Sequence, residues 1–270
     1  MQPSNLFHPQ RMLFYGQKHF TDHLRFYLMS LFAVFGLMTI WPLLMLFTNN
    51  PIDRLSDLAP FYYIGLFFGG MLFTSRFFHE LGSKEKGVDF LMLPASQFEK
   101  FIIIFLISTA GFLLCYHLCC FLSFNIINNA QVAILRKPVK MDYSFLSDPD
   151  EKKYIYYIYF ILQAAFLLGA TYFHKYSFIK TVLAVFIFLF ALWLVHAFII
   201  SCIFGFGGEF WKRSIPFTMI AKLEGGPVSW HTTVYLIPHW LQETYLFAVR
   251  FLVAPVLWTI AYFRLKDQEI

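Results

Sequence analysis

Few side chains in this sequence could do chemistry, and most of them lie where charge is costly. His117 and His196 fall inside long apolar runs, and Arg250 falls inside another. Ionisable groups in such runs are expensive to bury and imply a partner, a pathway or snorkelling. His117 and His196 are expected at similar depth. That suits an interhelical hydrogen bond, the lining of a transport path, or, in a haem-binding protein or integral membrane enzyme, ligation of iron. Glu243 precedes Arg250 on nearly the same helical face and is the expected neutralising partner. Cys115 and Cys119 have helical spacing but no accompanying carboxylate, and His117 is on another face. With Cys120 and Cys202 they read as small apolar residues. No serine–histidine–acid set or paired carboxylate stands out, and His79-Glu80 lacks the second histidine of an H-E-x-x-H zinc motif. No G-x-x-x-x-G-K-[ST] loop is present either. The chain is not expected to be an enzyme, and any ATP hydrolysis linked to it must occur on another polypeptide.

The elements that must position these residues are set by composition. The 270 residues are 59% hydrophobic and only 14% charged, with 36 Phe and 15 Tyr. Soluble domains carry about 25% charged residues. A soluble fold could not hide this much apolar surface, whereas a bilayer makes it stable. The net charge of +5 is spread over many loops and forms no basic stripe, which argues against nucleic acid. Membrane lipid is the expected surrounding partner.

A membrane-spanning helix needs about 20 apolar residues. Six runs qualify, at 26–47, 60–78, 101–124, 155–173, 181–204 and 245–263. Each is continuous rather than alternating, so helices are expected, because a helix satisfies its own peptide groups in lipid. The expected fold is therefore all-α, a single polytopic membrane domain over 1–270. Residues 1–25 mix Arg11, Lys18 and Arg25 with Leu13, Phe14 and Phe20, the pattern of a cytoplasmic interfacial helix rather than a cleavable signal. Segment 205–243 is too polar to span and too aromatic to be a free loop. It reads as short outer interfacial helices broken at Gly225-Gly226-Pro227. Basic residues in the short loops and tails favour cytoplasmic N- and C-termini. The longer loop 125–154 then falls outside.

Between the second and third runs lies a charged insert, 79–100, HELGSKEKGVDFLMLPASQFEK. Gly82 and Gly87 loosen its first half, Phe90 to Leu93 form a small apolar knob, and Pro94 ends it. Ser96 followed by Glu99 forms a capping-box pattern at the start of the third span. A stiff, capped junction is what a moving partner would need to work a membrane helix as a lever. A plain cytoplasmic turn resting on the membrane would have the same composition. Asp148-Pro149-Asp150-Glu151 is a second strong helix start, before the fourth span.

LMLPASQFEKF, Leu91 to Phe101, resembles the segment after the second span in permease subunits of type-2 ATP-binding-cassette (ABC) exporters, particularly small Bacteroidetes-like members. LLGATYFHKYSFIKTVLAVFI, Leu167 to Ile187, is similar to the same group where spans four and five meet. The resemblance implies a multi-pass permease of a bacterial inner membrane, without a cofactor of its own. It would pair as a homodimer or with a similar permease and dock on a separate ABC ATPase subunit that binds ATP and Mg²⁺. By position, Asp89, Leu91, Leu93, Pro94, Ser96, Glu99 and Lys100 match the main coupling segment. His174, Lys175, Tyr176 and Lys180 match the second, shorter contact. His117, His196 and Arg250 are then candidates for the transport path or gate. The long loop 125–154 departs from the compact loops of that family. A membrane scaffold without transport is the remaining alternative.

Overall fold

The computed structural model describes residues 7–47, 52, 54–82, 87, 95–139, 149–204, 219–226, 229–236 and 238–267. Within them the chain is helical apart from one hairpin. The helices are α1 (Pro9–Asp22), α2 (Leu24–Phe47), α3 (Ala59–Thr74), α4 (Gln97–Leu135), α5 (Pro149–Tyr172), α6 (Ser177–Phe204), α7 (His239–Phe251) and α8 (Val253–Lys266). Four of them, α2, α4, and the greater part of α5 and α6, are long and apolar enough to cross a membrane. The broken pair α7–α8 makes a fifth if taken as one span. This is the build of a polytopic membrane protein.

The apolar runs appear in the expected order, with altered ends. α3 has 16 residues and carries a π turn at Gly65–Gly69. α4 is 39 residues long, with a second π turn at Ile107–Gly111. It extends well past the run at 101–124 because Asn125, Asn128, Asn129 and Gln131 are polar without breaking a helix. The helix ends where Arg136 takes a left-handed conformation, φ 53°. The last run is not one rod. Pro255 has no N–H to give the Phe251 carbonyl, and the helix is interrupted at Leu252.

Segment 205–243 corrects one expectation. In place of short interfacial helices, its described part before α7 is an antiparallel hairpin, β1 (Met219–Gly226) and β2 (Ser229–Leu236), in register from Met219↔Leu236 to Gly226↔Ser229. Gly225-Gly226-Pro227 separates two strands rather than two helices. The run Thr232-Thr233-Val234-Tyr235 is β-branched and aromatic, a composition that suits strands. The expectation of an all-helical chain therefore holds for the apolar runs and not for 219–236.

The chain divides into two compact units. One comprises Met1–Phe178 with Leu257–Ile270, the other Ile179–Val256. In the first, helices α2 to α5 run alternately up and down, and three apolar clusters stack along them. At one end Tyr15, Phe78, Ile104, Leu167 and Leu265 join α1, the turn after α3, and the nearby ends of α4, α5 and α8. In the middle Met38, Leu66, Phe112, Tyr116 and Tyr159 meet. At the other end Leu46, Ile52, Ile127 and Val139 close the bundle. In the second unit, α6 exposes Leu183, Phe186, Phe190 and Val195 on all sides, as a helix facing lipid or another apolar surface does.

Candidate functional site

Ser96, Glu99 and Lys100 lie at the end of the first unit where α1 packs. Asp89, Leu91, Leu93 and Pro94 lie outside the described residues. Ser96 begins α4 as its cap: the Glu99 amide donates to Ser96 Oγ at 3.2 Å, and the Ser96 amide donates to Glu99 Oε2 at 2.8 Å. The capping box read from the sequence is therefore formed. Glu99 does more than cap. Its carboxylate accepts the backbone N–H of His8 at 2.6 Å and both Nε and Nη2 of Arg11 at 2.9 Å. The Glu99 side chain is fully buried and that of Arg11 is about one-third exposed. The hydrogen bonds to Glu99 hold the Arg11 guanidinium above its ordinary pKa. Lys100 is also fully buried. Glu99 and Lys100 thus face into this chain rather than outward, and Glu99 latches α1 onto the start of α4.

Of the second contact segment, His174 meets the turn that follows α3. A short 3-10 turn, His79–Gly82, leads towards 88–100. A Cβ placed on Gly82 would lie 2.9 Å from His174 Cβ and 3.3 Å from the His174 carbonyl oxygen. The backbones touch there only because Gly82 has no side chain. The junction 173–176 connects α5 to α6. It includes Tyr176, which is 77% exposed with φ 56°, an uncommon conformation for a bulky residue. His174 is half-buried, Lys175 is exposed, and Lys180 stands exposed in the first turns of α6. Arg264, near the end of α8, sits 4.8 Å above the Tyr172 ring and closes the same end.

His19, on α1, was not singled out by the sequence. It is only 7% exposed, packed between Tyr15 and His23 and stacked on Phe77. Burial, and secondarily His23, push its imidazole down to about 4. An interfacial helix with a neutral histidine on its packed face has no strong local signature, so only tertiary packing reveals it.

Of the three path candidates, His117 belongs to the first unit and His196 and Arg250 to the second. His117, on α4, shares a 2.8 Å hydrogen bond with the Tyr156 hydroxyl, which lies 3.3 Å from the Tyr62 hydroxyl. The Tyr116 hydroxyl donates to the Tyr62 carbonyl. About 27 Å of helix separates Glu99 from His117, close to the ~30 Å thickness of a hydrocarbon core. His117 belongs to a tyrosine cluster beside the middle apolar cluster, of which Tyr116 is a member and against which Tyr62 packs. His196 is buried in α6 of the second unit. Arg250, in the same unit, occupies the last turn of α7, where a cation complements the helix dipole. Glu243, on nearly the same helical face as Arg250, lies 3.5 Å from His239, one turn before it.

One polar bridge crosses the apolar middle. Gln163, 1% exposed, donates to Ser108 Oγ at 3.1 Å and accepts from Trp258 Nε1 at 2.9 Å. It ties the π turn of α4 to α5 and α8. π turns free local backbone groups and often mark functional positions. Among the described residues no group of His, Cys, Asp and Glu is arranged to hold a metal ion. The chain matches none of the family models, characterised proteins or solved structures with which it was compared.

Proposed function

We propose that this chain is the membrane-spanning permease subunit of an ATP-driven exporter, of the type-2 ABC kind that Leu91–Phe101 and Leu167–Ile187 resemble. The observation that supports the reading is one apolar cluster of the first unit in which Phe101, from the first resembling segment, packs with Leu167 and Ala170, from the second. The capped and latched start of α4 supplies the lever. A push on 88–94 reaches Ser96 and Glu99, and from there runs down a helix whose first turn cannot yield independently.

In this reading the apolar runs make six crossings, with α3 completed by its flanking turns and α7–α8 forming the last. Arg11, Lys18, Arg25, Arg76, Lys175, Arg264 and Lys266 lie in the short connections and tails at the latch end, and this excess of basic residues supports a cytoplasmic side for that end and for both termini in a bacterial inner membrane. Asp89, Leu91, Leu93, Pro94, Lys175, Tyr176 and Lys180 offer the outward contact to the ATPase subunit. Ser96, Glu99, Lys100 and His174 transmit it from behind. ATP and Mg²⁺ are bound by that subunit. A second copy or a similar permease completes the transporter, and the exposed faces of α6 suit such a neighbour. His117, His196 and Arg250 would act as path or gate.

The test is co-purification of the tagged chain from its native membrane with an ABC ATPase subunit. The unaltered chain should retain the ATPase, and Leu91→Asp with Leu93→Asp should release it while leaving the chain inserted. Crosslinking that places Pro94 on the extracellular side would end the proposal.

A further inference from the structure

Between α2 and the π turn of α4 the first unit contains a cavity of about 550 Å³, lined by Leu31, Val34, Leu72, Phe112 and Cys119 among others, with Arg76 in its wall. That volume lies within the ~300–1,000 Å³ typical of small-molecule sites. Its lining residues Phe20, Leu24 and Leu28 are 40–51% exposed, so it opens sideways rather than into the bundle. Along α4 the lining runs from Ile107 to Cys119, about 18 Å of helix. One leaflet of hydrocarbon is about 15 Å deep, half of the ~30 Å core. The groove is thus one leaflet long.

The one charged residue of its lining, Arg76, sits at one end. Arg76 follows α3 at the end of the unit that carries the latch, and its side chain is exposed. Among the described residues no carboxylate forms an ion pair with it. An apolar slot of this kind offers water too few partners to hold it. A guanidinium at the headgroup level binds phosphate oxygens in pairs.

We infer that this groove is a binding site for one anionic phospholipid from the bilayer, with an acyl chain along α2 and α4 and its phosphate on Arg76. The site stands on cavity shape and charge alone and does not rest on the transport reading. A zwitterionic lipid fits the slot equally well but carries a cation of its own near the phosphate, so the net negative headgroup is preferred. One cation near the surface corresponds to about a fivefold preference.

The purified full chain would be exchanged into detergent containing equal phosphatidylglycerol and phosphatidylcholine, and retained lipid counted by native mass spectrometry. One phosphatidylglycerol per chain should survive, in about fivefold excess over phosphatidylcholine. Arg76→Gln should bring that ratio to about one, and Arg76→Lys should keep part of it. Ala33→Trp should fill the slot and lower retention of both lipids. Gly111→Leu fills it independently, since its Cβ meets nothing closer than 3.6 Å. Equal retention of the two lipids by the unaltered chain means annular lipid only and overturns the site. So does an Arg76→Gln protein that keeps the preference, or slot-filling variants that fold and retain lipid as before.

Discussion

Glu99→Ala tests the latch. Four backbone or guanidinium N–H groups converge on this buried carboxylate: His8 N, Ser96 N, and Nε and Nη2 of Arg11. Removing one partner of a buried charged pair costs about 3–5 kcal/mol, because the other is left desolvated and unpaired. Arg11 is about one-third exposed and water can resolvate it, which puts the expected loss at the lower limit, about 3 kcal/mol. The loss falls on the docking of α1 rather than on the whole bundle, since α1 is joined to the rest mainly at this end. A 3 kcal/mol change is roughly two orders of magnitude in an opening equilibrium. Amide hydrogen exchange of residues 9–22 should therefore accelerate by about 100-fold, with exchange in the middle of α4 unchanged. Ser96→Ala separates capping from latching. It removes one cap bond worth about 1 kcal/mol, should loosen the first turn of α4, and should leave α1 protected. Unchanged exchange over 9–22 in a folded Glu99→Ala protein would refute the latch.

Further outcomes follow from neighbouring contacts. His19 has a folded pKa of about 4 against an ordinary 6.5. The unfolded or undocked state therefore binds more protons between these values, and α1 docking weakens as pH falls from 6.5 towards 4, by up to about 3 kcal/mol. Exchange of 9–22 measured against pH should show this slope, and His19→Phe should flatten it. Gly82→Ala forces a Cβ to 2.9 Å from His174 Cβ. Such overpacking costs about 1–3 kcal/mol, and the midpoint of thermal unfolding in detergent should fall accordingly. Gln163→Leu leaves Trp258 Nε1 without its acceptor. Interhelical hydrogen bonds in membranes are worth about 0.6–2 kcal/mol, so a loss near 1 kcal/mol is expected in denaturant titration, with a shift in Trp258 fluorescence.

Where local signals acted alone, the sequence was readable. Ser96 and Glu99 are three residues apart, and each capping bond closes within one turn. Pro149 opens α5 as its surroundings imply. The hairpin at 219–236 was harder. Gly225-Gly226-Pro227 announces a reversal in chain direction, but does not say which element is being reversed, and aromatic residues suit an interfacial helix and a strand alike.

Hydrophobicity over the length of a bilayer, together with the few residues able to start or stop a helix, determined that this is a multi-helix membrane chain and in what order its apolar runs occur. Those effects act between near neighbours, so they survive in the linear order of residues. Only the tertiary structure decided that Glu99 turns inward to Arg11, 88 positions away, that Gly82 meets His174, and that α2 and α4 leave a leaflet-deep slot beside Arg76. Such pairings depend on how helices pack and on where a missing side chain lets two backbones approach, which no single stretch of sequence encodes.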